Sequence, residues 1–174
     1  MGKKNEIRFS QAALDVIAKL TAHYPEGGKK SVLIPVLHLA QSEFGGWLSI
    51  EVMDYIAGIL DIQPVEVYEV ATFYSMFNLA PAGRNVLEIC SSGPCCLSGA
   101  GDILGYLENK LRIKAGETTP DGMFSIKTTE CLAACGNAPV MKVGFDYYEN
   151  LNAKEIDQMI DKINKEDIKS HSNP

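Results

Sequence analysis

Two pairs of cysteines carry the strongest chemical signal in the chain. Cys90 and Cys95 are separated by four residues in CSSGPC, and Cys131 and Cys135 by three in CLAAC. Each pair follows a predicted strand and lies in a loop of small residues. Four thiolates drawn to one point hold either an iron–sulfur cluster or a zinc ion. Zinc ligand pairs usually lie roughly two to four residues apart, which both spacings satisfy. A [2Fe–2S] cluster needs two thiolates per iron, and two pairs from neighbouring loops supply that division directly. The spacing is neither the plant-type ferredoxin run nor the bacterial four-cysteine run, so a third scaffold is implied. No Cys-x-x-Cys pair is present, which removes the usual thiol–disulfide centre.

The neighbours of the cysteines suggest how such a site is tuned. Gly93, Pro94 and Gly136 allow the loops to approach closely. Ser91 and Ser92 offer hydroxyl donors to sulfur, which shift a cluster's potential. Glu88 and Glu130 place negative charge nearby in sequence and disfavour the extra electron. The expected potential is on the order of −400 mV, as in all-cysteine ferredoxins. Cys96 adjoins Cys95, and consecutive cysteines cannot easily face one iron pair, so Cys96 reads as a small buried hydrophobe. His38 lies in an apolar helix and reads as a core or interface residue, whereas His23 and His171 read as solvent-facing. The aromatic residues Tyr68, Phe73, Tyr74 and Phe77 read as helix packing ahead of a docking face.

Composition narrows the function class. The formal net charge of −6 argues against nucleic acid, which calls for a basic footprint. An apolar share of 46% and a charged share of 22% are ordinary for a globular chain, and 174 residues allow one domain or two small ones. The most apolar stretch, Val32 to Ala40, contains Pro35 and His38 and is about half the ~20 residues of a membrane span. The start, MGKKNEIRFS, has no apolar segment of a secretory signal, and Glu6 occupies the Ser/Thr position of a myristoylation motif. A cytosolic compartment is expected, where paired cysteines bind metal or cycle redox state rather than form structural bridges.

The elements that must position the cysteines follow from periodicity. Ala13, Val16, Ile17, Leu20 and Tyr24 mark the face of a first helix. A turn at Pro25, Gly27 and Gly28 precedes a second helix from Val32 to Phe44, with Pro35 in or near its first turn and Gly45–Gly46 at its end. Ser49 reads as the N-cap of a third helix that buries Ile50, Met53, Ala57 and Leu60 and carries Glu51 at its positive end. Pro64 opens a fourth helix running to about Phe77. Pro81 and Gly83 then punctuate the chain. Val86 to Ile89 form a strand into Cys90, and Ile103, Leu104, Leu107 and Leu111 mark a helix. Phe124, Ile126 and Thr128 alternate with Ser125, Lys127 and Thr129 in a strand that delivers Cys131. Val140–Val143 and Asp146–Glu149 read as a hairpin around Gly144. Asn152 starts the last helix, with Glu155 as capping-box partner and Leu151–Ile156 as hydrophobic staple. Ile156, Met159, Ile160 and Ile163 form its core face, and the tail KEDIKSHSNP reads as frayed. The predicted architecture is α+β: an N-terminal helical bundle over 1–80, then a thioredoxin-like α/β domain over 81–174.

At this point the segments IPVLHLAQSEFGG, VYEVATFYSMFNLAPAGR, CSSGPC, RIKAGETTPDG and ECLAACGNAPV resemble a known family over nearly the whole chain. It is the small thioredoxin-like [2Fe–2S] subunit of the NADH-oxidising module of respiratory complex I, a family that also supplies subunits of NAD-linked hydrogenases and formate dehydrogenases. The resemblance implies one [2Fe–2S] cluster on Cys90, Cys95, Cys131 and Cys135, a one-electron carrier role, and a helical bundle docked on a larger flavoprotein subunit that binds NADH and FMN. It also implies contacts with other peripheral-arm subunits and a cytoplasmic position, attached to the membrane only through the complex. No G-x-G-x-x-G run or Walker A motif contradicts this division of labour. Two departures stand out: Ala133 replaces a frequent glycine, which tightens its loop, and Cys96 replaces a residue that is usually not cysteine. A zinc-stabilised interaction module is the competing reading from another class.

Overall fold

The computed structural model describes the backbone of residues 7–171, with side chains to 165. The chain divides into two compact units between Ala82 and Gly83. Among the described residues of the first unit are four α-helices: α1 Gln11–Thr21, α2 Leu33–Glu43, α3 Ile50–Leu60 and α4 Pro64–Phe73. Local chemistry accounts for most of their ends. The Ser10 hydroxyl accepts from the Ala13 N–H to cap α1, and the Ser49 hydroxyl accepts from the Val52 N–H to cap α3. Pro35 sits third in α2, where its missing N–H has no intrahelical partner to lose. After α2, Gly45 and Gly46 both adopt left-handed φ, of 85° and 84°, which reverses the chain toward α3. Pro64 takes the first position of α4, and Gln63 with Glu66 forms a capping box in addition to the expected proline start.

Leu33, Leu37, Leu48, Ile56 and Leu60 are fully buried at the centre of this unit, joined by Phe9, Val36 and Val67. Several expectations are corrected here. Ile50 faces solvent rather than the core, as do Val16 and Tyr24. Tyr24 lies beyond the end of α1, where the Thr21 hydroxyl back-bonds to the Ile17 carbonyl. Helix α4 stops at Phe73, four residues short of Phe77. The Thr72 hydroxyl donates to the carbonyls of Tyr68 and Glu69, and Tyr74 turns extended. Phe77 is buried and stacks against His38 at 5.0 Å, but Phe73 is 79% exposed and Tyr74 38%. The packing role expected of those two aromatics is therefore not what they do within this unit. His38 is also exposed rather than core, and His23 is exposed as expected. The His171 side chain lies outside the described residues.

The second unit contains a four-stranded sheet in the order β2-β1-β3-β4, with β1 Asn85–Cys90, β2 Phe124–Thr129, β3 Met141–Val143 and β4 Asp146–Tyr148. Strand β1 pairs parallel with β2 and antiparallel with β3, which pairs antiparallel with β4. Between β1 and β2 the chain forms α5 Gly93–Leu97 and α6 Ala100–Leu111, and α7 Ala153–His171 follows the hairpin. This is the expected thioredoxin-like layout with one addition. The five-residue α5 stands where a loop is expected; Gly-Pro opens it, and proline is well placed in a first helical turn. Leu87, Ile89, Ile126 and Met141 on one sheet face pack with Ile103 and Leu107 of α6 and Ile156 and Ile160 of α7. The Asn152 side chain accepts from the N–H groups of Lys154 and Glu155, and Leu151 and Ile156 are buried as the staple requires. Helix α7 continues through His171, well into the segment expected to fray.

Two backbone positions of this unit test the local argument. A Cβ on Gly83 would lie 2.7 Å from the Phe124 carbonyl carbon and 2.9 Å from the Ser125 nitrogen. Ala133, by contrast, holds a left-handed φ of 57° that an alanine adopts at a cost. Chemical unfolding of the full chain should show Gly83→Ala destabilised by about 1–3 kcal/mol. Ala133→Gly should be stabilised by about 0.5–1 kcal/mol, once the added chain entropy of glycine is subtracted.

Candidate metal centre

The parallel register places Cys90 opposite Thr129, so both strands end at the same sheet edge. From that edge β1 runs through Ser91–Ser92 into α5, and β2 runs through Glu130 into the Cys131 loop. Crevices outside the carboxyl ends of parallel strands are where open α/β sheets carry their chemistry. The two loops are tied to each other. The Ser91 N–H and hydroxyl both donate to the Thr129 carbonyl, at 2.8 and 3.0 Å. The Cys90 N–H donates to the Val140 carbonyl at 3.1 Å, which fixes the loop that follows Cys135.

None of the five cysteines is joined in a disulfide, and they divide by exposure. Cys90 and Cys95 are buried, at 2% and 1%, while Cys131 and Cys135 are exposed. Cys90, Cys95, Ala100, Leu132 and Val140 form one small apolar cluster. The structure thus brings Cys90 and Cys95 into direct contact and seats the Cys131 loop on Cys90 through Leu132. Cys135 lies close enough to Cys95 to act on its ionisation. Among the described residues, no three His, Cys, Asp or Glu side chains close around one point suited to a single ion. A two-iron cluster is held by two pairs of sulfurs.

Donors to sulfur come mostly from the backbone. Burial works against a Cys90 thiolate, but the N–H groups of Ser92 and Leu132, the Cys95 thiol and the Ser92 hydroxyl outweigh it, and the Cys90 pKa falls below the ordinary thiol value. Burial and the adjacent Cys90 push the Cys95 thiol up, while a hydrogen bond from the Val140 N–H opposes them. The Ala133 N–H lies 3.3 Å from the Cys131 sulfur. Thiolates are the metal-ligating form, and these loops present sulfur with N–H donors aimed at it. The donor set therefore fits an iron–sulfur cluster.

Several sequence expectations about tuning are corrected. Of the two serine hydroxyls, only that of Ser92 reaches a cysteine sulfur; the Ser91 hydroxyl is spent on the Thr129 carbonyl. A Cβ on Gly93 or Gly136 would meet nothing within 4 Å, so close approach of these loops does not depend on either glycine. Cys96 is exposed rather than buried, and its thiol donates to the Ser91 carbonyl at 3.1 Å. Glu130 is exposed. The Glu88 carboxylate does not bring a bare charge, because Lys142 of β3 pairs with it at 2.8 Å. The N–H donors from Leu132 and Val140 left no trace in the sequence, since a backbone donor is the same for every residue but proline.

Comparison with known proteins agrees with this geometry. The family model for thioredoxin-like [2Fe-2S] ferredoxin matches residues 17–164. A subunit of NADH-quinone oxidoreductase from Rickettsia typhi is 44% identical over 153 residues, covering 88% of this chain and 90% of the relative. The like-named protein of Rickettsia bellii is 42% identical over 161 residues, covering 92% and 96%. In Dictyostelium discoideum, the mitochondrial NADH dehydrogenase [ubiquinone] flavoprotein 2 is 43% identical over 155 residues, covering 89% of this chain and 63% of that one. Among solved structures, an NAD+-reducing [NiFe]-hydrogenase in the air-oxidized state matches with a TM-score of 0.66 at 22% identity, over 78% of this chain and 23% of that one. That last likeness concerns the fold. The sulfur-lined edge of a thioredoxin-like sheet and the sequence matches lead to one conclusion: the chain belongs to the thioredoxin-like [2Fe-2S] ferredoxin family and carries one [2Fe–2S] cluster.

Proposed function

We propose that this chain is the electron-transfer subunit of an NADH:quinone oxidoreductase, with Cys90, Cys95, Cys131 and Cys135 as the four cluster ligands. The observation that carries the reading is the placement of both cysteine pairs at one edge of the sheet, in a chain 40–44% identical to relatives bearing that name. When bound, the cluster supplies reversible one-electron storage. The protein's part is to hold the inner pair in an apolar, N–H-lined pocket and to leave the outer pair at the surface. A carrier built this way is reached from outside without an electron crossing the core. NADH and FMN belong to a larger flavoprotein subunit, on which the helical unit docks, with other peripheral-arm subunits beside it. Phe73 and Tyr74, packed edge to face at 5.1 Å and open to solvent, support a docking face on that unit. Among the described residues no helix is long and apolar enough to cross a membrane. In this reading the chain sits on the cytoplasmic side and reaches the membrane through its complex.

Metal analysis and ligand substitution test the assignment together. Anaerobically isolated protein should contain about two iron and two acid-labile sulfide per chain. Cys→Ser at positions 90, 95, 131 or 135 should each remove or reshape the visible spectrum, whereas Cys96→Ser should leave it intact; a colourless wild-type protein containing zinc would end the reading. Ser92→Ala should make the midpoint potential more negative, because a hydrogen bond to sulfur favours the reduced state, and Ser91→Ala should leave it unmoved. Phe73→Ala combined with Tyr74→Ala should release the chain from its native complex, read as loss of co-purification with NADH-oxidising activity, while the cluster spectrum stays unchanged.

A further inference from the structure

Cys96 is the one cysteine outside the ligand set, yet its contacts lead back to that set. It is exposed and lies on α5, one position after Cys95. Its backbone N–H donates to the Ser92 carbonyl at 2.9 Å, and its thiol donates to the Ser91 carbonyl at 3.1 Å. Cys96 therefore holds two successive carbonyls of the turn between β1 and α5. The thiol contact bears directly on the site. The Ser91 C=O and the Ser92 N–H belong to one peptide unit, which is trans. A trans peptide is planar and its C=O and N–H point in opposite directions, so fixing one end fixes the other. The Ser92 N–H is a donor to the Cys90 sulfur. The preceding peptide is pinned separately, because the Ser91 N–H and hydroxyl both donate to the Thr129 carbonyl. The Ser91–Ser92 peptide is thus held by a thiol at its oxygen end and faces a ligand sulfur at its nitrogen end.

We propose that Cys96 is a positioning residue for the cluster: its thiol holds the Ser91–Ser92 peptide with the N–H directed at Cys90, and so raises the midpoint potential. The inference rests on the assignment of Cys90 as a ligand. Without the thiol, a crankshaft turn about ψ of Ser91 and φ of Ser92 carries the N–H away from sulfur while the neighbouring peptides stay in place. The thiol also polarises the peptide, since a hydrogen bond accepted at the oxygen strengthens the one donated at the nitrogen. An N–H donor to a ligand sulfur stabilises the reduced site more than the oxidised one, because reduction adds one negative charge and breaks no bond. A thiol is a weak donor, which suits a role in orientation, and a hydroxyl at the same place should replace it. Cys96 is exposed on a five-residue helix, so its substitution leaves no core cavity. It acts through the peptide and is not itself a ligand.

The test pairs a redox titration with hydrogen exchange. The titration uses the full chain in its native complex and follows the paramagnetic signal of the reduced cluster. Exchange at the Ser92 amide is read by mass spectrometry on the isolated full chain. Cys96→Val removes the donor and should move the midpoint potential to a more negative value, with iron and sulfide content unchanged. Ser92 exchange should quicken in the same variant. Cys96→Ser restores a donor and should lie closer to the wild type than to Cys96→Val in both measurements. A potential in Cys96→Val that is unmoved or more positive would overturn the proposal. So would a Cys96→Ser potential closer to that of Cys96→Val, or Ser92 exchange that is the same in all three proteins. If Cys96→Val fails to assemble, Cys96→Ala takes its place and is judged against Cys96→Ser in the same way. A wild-type protein without iron and sulfide, or a Cys90→Ser variant with an unaltered cluster, would overturn the ligand assignment itself. Neither of those results depends on the residue at position 96, so the two failures are distinguishable.

Discussion

The in-register parallel pairing of β1 with β2 is the constraint on which the site depends. These strands are far apart in sequence, and each ends where its cysteine loop begins. Because they run the same way, Cys90 and the Cys131 loop emerge at one sheet edge. A slip of one residue would turn Cys90 to the helix-covered face and carry Leu87 and Ile89 out of the core. The burial of those two residues against α6 and α7 therefore fixes the register, and the register fixes the thiol. Hydrogen bonds from Ser91 to Thr129 and from Cys90 to Val140 then lock the loops relative to one another.

The site so formed is asymmetric. Its inner half is apolar and lined with N–H groups; its outer half is open. The backbone supplies most of the hydrogen bonding to sulfur, which frees the side chains of the loops to remain small. Ala133 shows the cost of this arrangement. Its N–H faces the Cys131 sulfur while its backbone is held in a left-handed conformation, the region that glycine enters without steric penalty. A glycine at this position would enter that turn without the Cβ penalty.

Much of the scaffold was legible from local signals. The caps at Ser49 and Asn152, the first-turn prolines at positions 35 and 64, and the Leu151–Ile156 staple depend on residues close in sequence, and each forms as expected. Expectations failed where the deciding partner is remote or where periodicity is too coarse. Apolar spacing assigned Val16 and Ile50 to the core, but each lies at the edge of its helix's apolar stripe and faces water. Phe73 and Tyr74 read as packing because aromatics usually are buried; the hydroxyl of Thr72 ends the helix beneath them instead. The cysteine pairs were visible because their spacing is short. The neutralisation of Glu88 was not, since it arises only when the sheet brings Lys127 and Lys142 alongside. The same holds for Ser91, whose hydroxyl is claimed by a strand that the sequence could not place next to it.

The most direct test of the central claim, that four cysteines at one sheet edge hold two iron atoms, is Mössbauer spectroscopy of protein isolated from iron-57-enriched cells. The oxidised protein should show two ferric sites in tetrahedral sulfur surroundings, coupled to a diamagnetic ground state. Addition of one electron should convert one of the two to ferrous iron. A paramagnetic mononuclear iron signal, iron bound by nitrogen or oxygen, or the absence of iron altogether would contradict the account.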